Sequence, residues 1–370
     1  MTPPTTLQQY DIAVLPGDGI GTEVMDACLQ VLRAAEAVDG GPRLRFTTHE
    51  AGAHCYARTG VALPEATLSA CRSAHAILFG AGGWPDIRYP DGTEIAPQLE
   101  LRVALELFAG VRPIRWFPGL PRVLSDPRAQ TIDFVLVREQ TEGLFYSRGR
   151  GRIEQDAAYD TMCITRTGTR RVSEFAIKLA QRRKARGKRG RVTCVDKSNV
   201  FASMAFFRKV FDEVAQAHPN IACDHAYIDA MAMTMVKQPW SLDVLVTENM
   251  FGDILSDLGA GLIGGMGMAP SGDIGLEHGL FQPAHGSAPD IAGQGKANPS
   301  AMFLSAAMML DWLADRHRDE RLRSRASLIE RSIEHVLGSR RYVPMEYGGD
   351  ADTNTLTQAV IAAVESRSTL

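Results

Sequence analysis

The sequence predicts an α/β protein, and three observations carry the prediction. Short apolar runs rich in β-branched residues alternate with stretches of helical periodicity along most of the chain. Glycine and proline cluster at the junctions between them. The composition is that of an ordinary globular protein, 45% hydrophobic and 22% charged over 370 residues, enough chain for roughly two domains. The same arithmetic excludes other classes. A formal charge of −3 at this hydrophobic content is incompatible with whole-chain disorder and gives no global attraction to nucleic acid. No apolar run approaches the roughly 18 residues of a membrane-spanning helix.

In chain order, Ile12 to Leu15 is a short apolar run and Pro16-Gly17-Asp18-Gly19 a turn cluster. Ile20, Val24, Ala27, Cys28, Val31 and Leu32 then recur at helical spacing. Strands are expected over 43–49, over 76–79 before Gly80-Ala81-Gly82-Gly83, and within 131–137 and 191–195. Amphipathic helices are expected over 172–183 and 203–217, and a helix-rich C-terminal third over 301–315, 322–337 and 353–364. No linker, low-complexity tract or repeat divides the chain. The N-terminal segment MTPPTTLQQYD lacks the basic and apolar regions of a signal peptide. Six scattered cysteines without a C-x-x-C pair suggest reduced thiols and a cytoplasmic protein.

Several motifs admit a chemical reading beside a structural one. Gly17-Asp18-Gly19-Ile20-Gly21 is either a dinucleotide-binding turn, with an acid set awkwardly against a pyrophosphate, or a tight strand-to-helix turn. The basic run 182–191 is either a phosphate contact or the solvated end of a helix. Asp253 and Asp257, four apart, share one helix face, as a Mg²⁺ or Mn²⁺ site or as an acidic first turn. Asp229 is a lone acid in the apolar run 227–233, either buried and partnered or capping the next helix. Arg102, Arg112 and Arg138 stand near element ends, where guanidinium forks bind carboxylates. Lys197 follows an apolar strand, where a lowered pKa makes a lysine a base. His285-Gly286-Ser287-Ala288-Pro289-Asp290-Ile291 is a loop of small residues that allows close backbone approach, with an acid able to accept from ribose hydroxyls, or else a plain surface loop.

Together these residues resemble the β-decarboxylating dehydrogenases, the family of isocitrate, isopropylmalate, homoisocitrate and tartrate/D-malate dehydrogenases. The strongest matches are VDKSNV (195–200), YIDAMAM (227–233), NMFGDILSDL (249–258) and HGSAPDIAGQGKANP (285–299), and the resemblance covers nearly the whole chain. It implies an isopropylmalate-dehydrogenase-like fold, a large twisted mixed sheet in two domains flanked by helices, distinct from a Rossmann domain. The implied domains are a discontinuous cofactor-binding one, 1–107 with 264–370, and a dimerisation and substrate–metal one, 108–263. The implied assembly is a homodimer, with Lys197 and Asp229 entering the partner's site. The implied reaction is NAD- and Mg²⁺- or Mn²⁺-dependent oxidative decarboxylation of a 3-substituted malate. The resemblance assigns Asp229, Asp253 and Asp257 to the metal, Lys197 and Asp229 to proton transfer, Arg102, Arg112 and Arg138 to the β-carboxylate, Gln98 and Asn199 to the substrate, and residues 285–291 with Asn298 to the cofactor. An acid at Asp290 goes with NAD rather than NADP, whose 2′-phosphate it repels.

Two departures from the family pattern stand out. In Arg138-Glu139-Gln140-Thr141-Glu142-Gly143-Leu144-Phe145-Tyr146, Phe145 occupies the place of the protonating tyrosine, and phenylalanine has no proton to donate. A one-residue bulge that brings in Tyr146, protonation by water, oxidation without efficient decarboxylation, and a non-catalytic regulatory subunit are the alternatives. In Ala96-Pro97-Gln98-Leu99-Glu100-Leu101-Arg102, polar Gln98 replaces the leucine expected against an isopropyl group. A small polar or charged substituent on C3 follows.

Overall fold

The computed structural model describes residues 8–366, so most of the segment bearing on a signal peptide lies outside the described residues. The elements are β1 (Gln9–Gly17), α1 (Ile20–Asp39), β2 (Arg43–Thr48), α2 (Ala53–Thr59), α3 (Glu65–Ser73), β3 (Ala76–Ala81), α4 (Pro97–Ala104), β4 (Ala109–Arg115), β5 (Asp133–Glu139), β6 (Arg152–Ile153), β7 (Ala158–Tyr159) and α5 (Arg166–Ala185). There follow β8 (Arg191–Asp196), α6 (Ala202–Gln216), β9 (Ala222–Tyr227), α7 (Ile228–Lys237), β10 (Val244–Thr247), α8 (Asn249–Leu262), β11 (Pro270–Ile274), β12 (Gly279–Pro283), α9 (Ser300–His317), α10 (Glu320–Gly338) and α11 (Thr353–Ser366). No helix of the described residues is long and apolar enough to cross a membrane.

Ten strands form one mixed sheet in the order β2-β1-β3-β12-β11-β4-β5-β10-β8-β9, and β6 and β7 make a separate hairpin. The pairings are parallel towards both edges and antiparallel at the centre, where β11 meets β12 and β4, and β4 meets β5. Every strand of the first half comes from residues before 82 or after 269, and every strand of the second half from 109–247. Side chains alternate across the central strands. Arg112, Arg138 and Gln282 line a cavity on one face. Val111, Val135 and Phe281 line the opposite face, against α5 and α9.

The sheet is covered on both sides. Ile12, Val14 and Leu78 pack with Val24, Val31 and Leu32 of α1 and with α9 and α11, while Ala13, Leu15, Ile77 and Phe79 pack with Leu101 of α4. Edge strand β9 is largely exposed. The run expected as a strand from 131 starts at Asp133, because 127–131 close a 3-10 turn whose Asp126 side chain accepts from the Arg128 N–H. β4, β6, β7 and β9 to β12 are additions to the sequence reading. The glycine-rich stretch that contains β11, whose one charge is Asp273, shows neither helical nor alternating periodicity, since a strand buried on both faces has no polar side.

The basic run is a helix end, and its charges are spent internally. Arg183 bonds Asp133 and Asp243, Arg182 pairs with Asp315, Arg186 with Asp311 and Lys188 with Asp133. Lys184 and Arg189 donate to backbone carbonyls of Asn220 and Trp240, and Arg191 to that of Ser241. A cationic face free to meet phosphates is therefore not formed by these residues. All six cysteines are free.

Candidate active site

The antiparallel centre of the sheet carries the charge. Asp273 on β11 is fully buried beneath three arginines. Its carboxylate accepts from Arg102 Nε at 2.9 Å, Arg112 Nη1 at 3.2 Å, Gln140 Nε2 at 3.0 Å and Gln282 Nε2 at 2.8 Å. Burial opposes ionisation, but Arg102 and Arg112 outweigh it and hold the carboxyl at about 2. Arg138, also buried, donates through Nε and Nη2 to Asn249 Oδ1 at 2.9 and 2.7 Å and pairs with Asp253. Burial and the charge of Arg102 pull its pKa down to about 10 against the attraction of Asp253, so it stays charged at neutral pH.

Helix α8 brings the second set. Glu248, fully buried, caps it by accepting from Phe251 N at 2.6 Å and Met250 N at 3.1 Å. Asn249 Nδ2 donates to Glu142 O at 3.1 Å, which ties the loop after β5 to the helix. One turn on, Asp253 and Asp257 open onto the same cavity as the three arginines, a space of about 310 Å³. Burial, then the charge of Asp253, raises Asp257 above the ordinary carboxylate range. Gln98 of α4 and the preceding Glu94 also line this cavity, and Gln98 Oε1 is buried without a partner.

Phe145 lines this cavity with its ring centroid 5.1 Å from the Arg138 guanidinium. Tyr146 does not line it; its ring lies 4.2 Å beneath the Arg150 guanidinium. Residues 144–147 form a 3-10 turn, and the bulge that would exchange the two rings is not formed.

Lys197, Asn199 and Asp229 stand away from the cavity in a single chain. Lys197 Nζ donates to Asp229 Oδ1 at 2.5 Å, and this bond holds Asp229 below the usual carboxylate range. Asp229 is neither a buried acid nor a cap. Its side chain is 68% exposed in the first turn of α7, whose cap position is Tyr227. Asn199 lies in an exposed turn beyond β8. Among the described residues no three His, Cys, Asp or Glu side chains form a metal-holding group.

The loop from His285 is fastened to the start of α1. Ile20 N donates to Ser287 O at 2.9 Å, and a Cβ at Gly19 would stand 2.1 Å from that oxygen, so only glycine fits. Glu23 accepts from the N–H groups of Gly293 and Gly295. Asp18 does not face a phosphate. It is buried, and its carboxylate accepts from Ala53 N at 2.7 Å and Gly83 N at 2.9 Å. A second cavity of about 450 Å³ opens beside this loop, with Ile20, Ile291 and Asn298 on its walls. His285 lines both cavities. Its Nε2 is buried without a partner, and burial lowers its pKa, so the ring is neutral. Asn298 Nδ2 donates to Glu346 at 3.1 Å. Ser287 is buried, Ala288 half-buried, and Gly286, Pro289 and Asp290 are exposed on the outer side.

Asp273, Gln140, Gln282, Glu248 and Asn249 are the functional neighbours that sequence reasoning missed. Asp273 carried a usable signal. It is the one charged residue between Leu258 and Ile274, the lone-acid pattern read for Asp229, and here the acid is the buried one.

Glu139 follows Arg138 but serves the fold. It accepts from Thr141 N at 2.9 Å and Glu142 N at 2.7 Å, and burial raises it from 4.5 to about 7. Its proton is held by the folded state more tightly than by the unfolded chain. The resulting stability is complete below pH 4.5 and lost as pH rises through 7, a decline on the order of 3 kcal/mol. Urea unfolding between pH 5 and 8.5 should record that decline, and Glu139→Gln should flatten it.

The comparisons with known proteins agree with this geometry. The family model for isocitrate/isopropylmalate dehydrogenase matches residues 11–364. A 3-isopropylmalate/3-methylmalate dehydrogenase of Methanocaldococcus jannaschii is 41% identical over 96% of this chain and 99% of its own length. A homoisocitrate dehydrogenase of the same organism is 37% identical over 96% and 98%. The crystal structure of isocitrate dehydrogenase from Methylococcus capsulatus superposes with a TM-score of 0.85 at 36% identity, covering 96% of this chain and 99% of that one. The mixed ten-stranded sheet, the arginine cradle beside paired carboxylates and these matches identify the chain as a member of the isocitrate/isopropylmalate dehydrogenase family, a β-decarboxylating hydroxyacid dehydrogenase acting on a CH–OH donor.

Proposed function

We propose that this enzyme oxidatively decarboxylates a 3-substituted malate with NAD and Mg²⁺ or Mn²⁺, as a cytoplasmic homodimer. One observation carries the reading. Three arginines face two carboxylates four residues apart across one cavity, and that cavity shares His285 with a second.

The residues fit both absent groups. Asp253 and Asp257 set two carboxylates, four residues apart, into one wall of the cavity, a hard-oxygen donor pair suited to Mg²⁺ or Mn²⁺. His285, whose Nε2 is buried without a partner, lines a cavity with apolar walls suited to an adenine. A divalent cation held by Asp253, Asp257 and Asp229 of a second copy would acidify the C2 hydroxyl and stabilise enolate charge. NAD held by residues 285–291 and Asn298 would accept the C2 hydride, and exposed Asp290 would disfavour a 2′-phosphate.

This chain's side chains do the rest. Arg102, Arg112 and Arg138 grip the β-carboxylate and fix C2 and C3. Gln98 bounds the C3 substituent, and Asn199 of a second copy adds a substrate contact. Lys197 of a second copy, held by that copy's Asp229, takes the C2 hydroxyl proton at Nζ. Loss of that proton and of the hydride makes C2 a ketone. When CO₂ departs, the electron pair of the broken bond stays with the C2–C3 unit and C3 takes up a proton. Phe145 has none to give, and water supplies it.

The dimer is supported by the exposed apolar side chains Met233 and Val236 on α7, Ile254 on α8, and Val200 and Phe201 beside Lys197. A second copy seated there covers them and completes the acid trio. The segments 1–107 with 264–370, and 108–263, act as the two domains that enclose the substrate.

The test is NADH and CO₂ measured together on malate-type substrates with Mn²⁺. The wild type should form NADH faster than CO₂, and Phe145→Tyr should bring the two rates together. If Tyr146 supplied the proton instead, Tyr146→Phe would lower CO₂ release. Absence of NADH from every malate-type substrate would end the reading.

A further inference from the structure

We infer that the cavity on the far side of the central strands binds a small amphipathic monocarboxylate, an apolar body ending in one carboxylate. The site lies behind the arginine cradle and takes no part in the reaction.

This cavity holds about 300 Å³, close to the size of the cavity in front. Val111, Val135, Ile274 and Phe281 line it from the strands. Val111, Ile274 and Phe281 are the chain neighbours of Arg112, Asp273 and Gln282, so this floor and the cradle are two faces of the same strands. Phe175 and Leu179 of α5 and Met308 and Trp312 of α9 line it too, and all four are only half-buried. The Trp312 and Phe281 ring centroids are 5.8 Å apart. Packed interiors leave few voids larger than a water molecule. Large apolar side chains left half-exposed around a concavity with a few charges are the makings of a ligand pocket.

The charges select what the apolar body carries. Four acids line the cavity. Asp133 pairs with Arg183 and Lys188, and Glu330 stands 4.0 Å from Arg115 Nη1. Asp311 and Asp315 both pair with Arg323, and each takes a second arginine from α5, Arg186 and Arg182 respectively. Those two arginines can turn to a ligand, because Arg323 stays with both aspartates. The side chains of Arg182 and Arg186 are 45% and 58% exposed, so exchanging their pairs costs little. Two guanidinium groups freed in this way suit one carboxylate. A zwitterion would bring an ammonium to acids already matched. Inorganic phosphate would leave the apolar floor wet, and a neutral hydrocarbon would make no use of the arginines.

The full-length protein should be titrated with octanoate, with octanol as the probe lacking the charge and acetate as the probe lacking the apolar body. Octanoate should change the tryptophan fluorescence saturably and raise the melting temperature. Octanol should bind on the order of 10-fold more weakly, and acetate should do neither. Arg182→Ala combined with Arg186→Ala should weaken octanoate by on the order of 10-fold, to the level of octanol. Trp312→Phe should lose the fluorescence response. Saturating malate with Mn²⁺ should leave the octanoate titration unchanged. Competitive displacement by malate would place the carboxylate in the arginine cradle and overturn the inference. So would a fluorescence response that survives in Trp312→Phe, binding that the double arginine variant leaves unaltered, or no saturable binding at all.

Discussion

Asp253→Asn should reduce kcat by at least about a thousandfold while leaving the fold intact, because it removes one charge from a site that needs three to hold a divalent cation. Asparagine keeps the shape and can still accept from Arg138, so the loss falls on the cation rather than on packing. Two measurements separate these effects. Circular dichroism and the melting temperature without metal should match the wild type. The rise in melting temperature that Mn²⁺ gives the wild type should disappear. Undiminished turnover in the variant would remove Asp253 from the metal site.

Asp273→Ala should act on stability first. Its carboxylate is the only anion within hydrogen-bonding distance of Arg102 and Arg112 among the described residues. Removing one member of such a buried cluster leaves uncompensated charge and costs about 3–5 kcal/mol. Arg102 and Arg112 would also lose the bonds that aim them, so kcat/KM should drop by on the order of 100-fold. A dicarboxylate restores part of the missing negative charge. Added malate should therefore stabilise the variant more than the wild type in urea unfolding. Equal stabilisation of the two proteins would mean that substrate carboxylates do not reach this pair.

The strands and helices with a single apolar stripe were legible in the sequence. α6 and the three C-terminal helices lie within a residue or two of their expected limits, whereas α1 runs on to Asp39, past the Leu32 where its periodic run was read to end. β11 and β12 were not legible, because PSGDI and GLFQP carry the glycine and proline that read as turns, whereas β3, equally buried, is a run of apolar residues. The site was legible where chemistry forces residue type. The pair Asp253 and Asp257 lines the cavity with all three arginines. It was not legible where a polar side chain serves another side chain. Asp273 accepts from arginines more than 100 residues away, as the 171-residue separation of Arg102 illustrates, and Gln140 and Gln282 in turn donate to Asp273. The burial of Asp229 was misjudged for a related reason: apolar neighbours on α7 such as Met233 and Val236 are themselves exposed in one chain.

The antiparallel centre of the sheet also imposes an order of assembly during synthesis. A ribosome delivers Arg102 and Arg112 long before Asp273, the carboxylate they share. β3 likewise waits for β12, about two hundred residues downstream, to cover its second edge. Until β11 and β12 emerge, the nascent chain carries two arginines without their counter-ion, which oppose burial, and an open apolar edge, which is prone to wrong pairing. The arginine cradle is thus assembled by the last strands to arrive, and a chain truncated before residue 270 would hold the arginines without a floor beneath them.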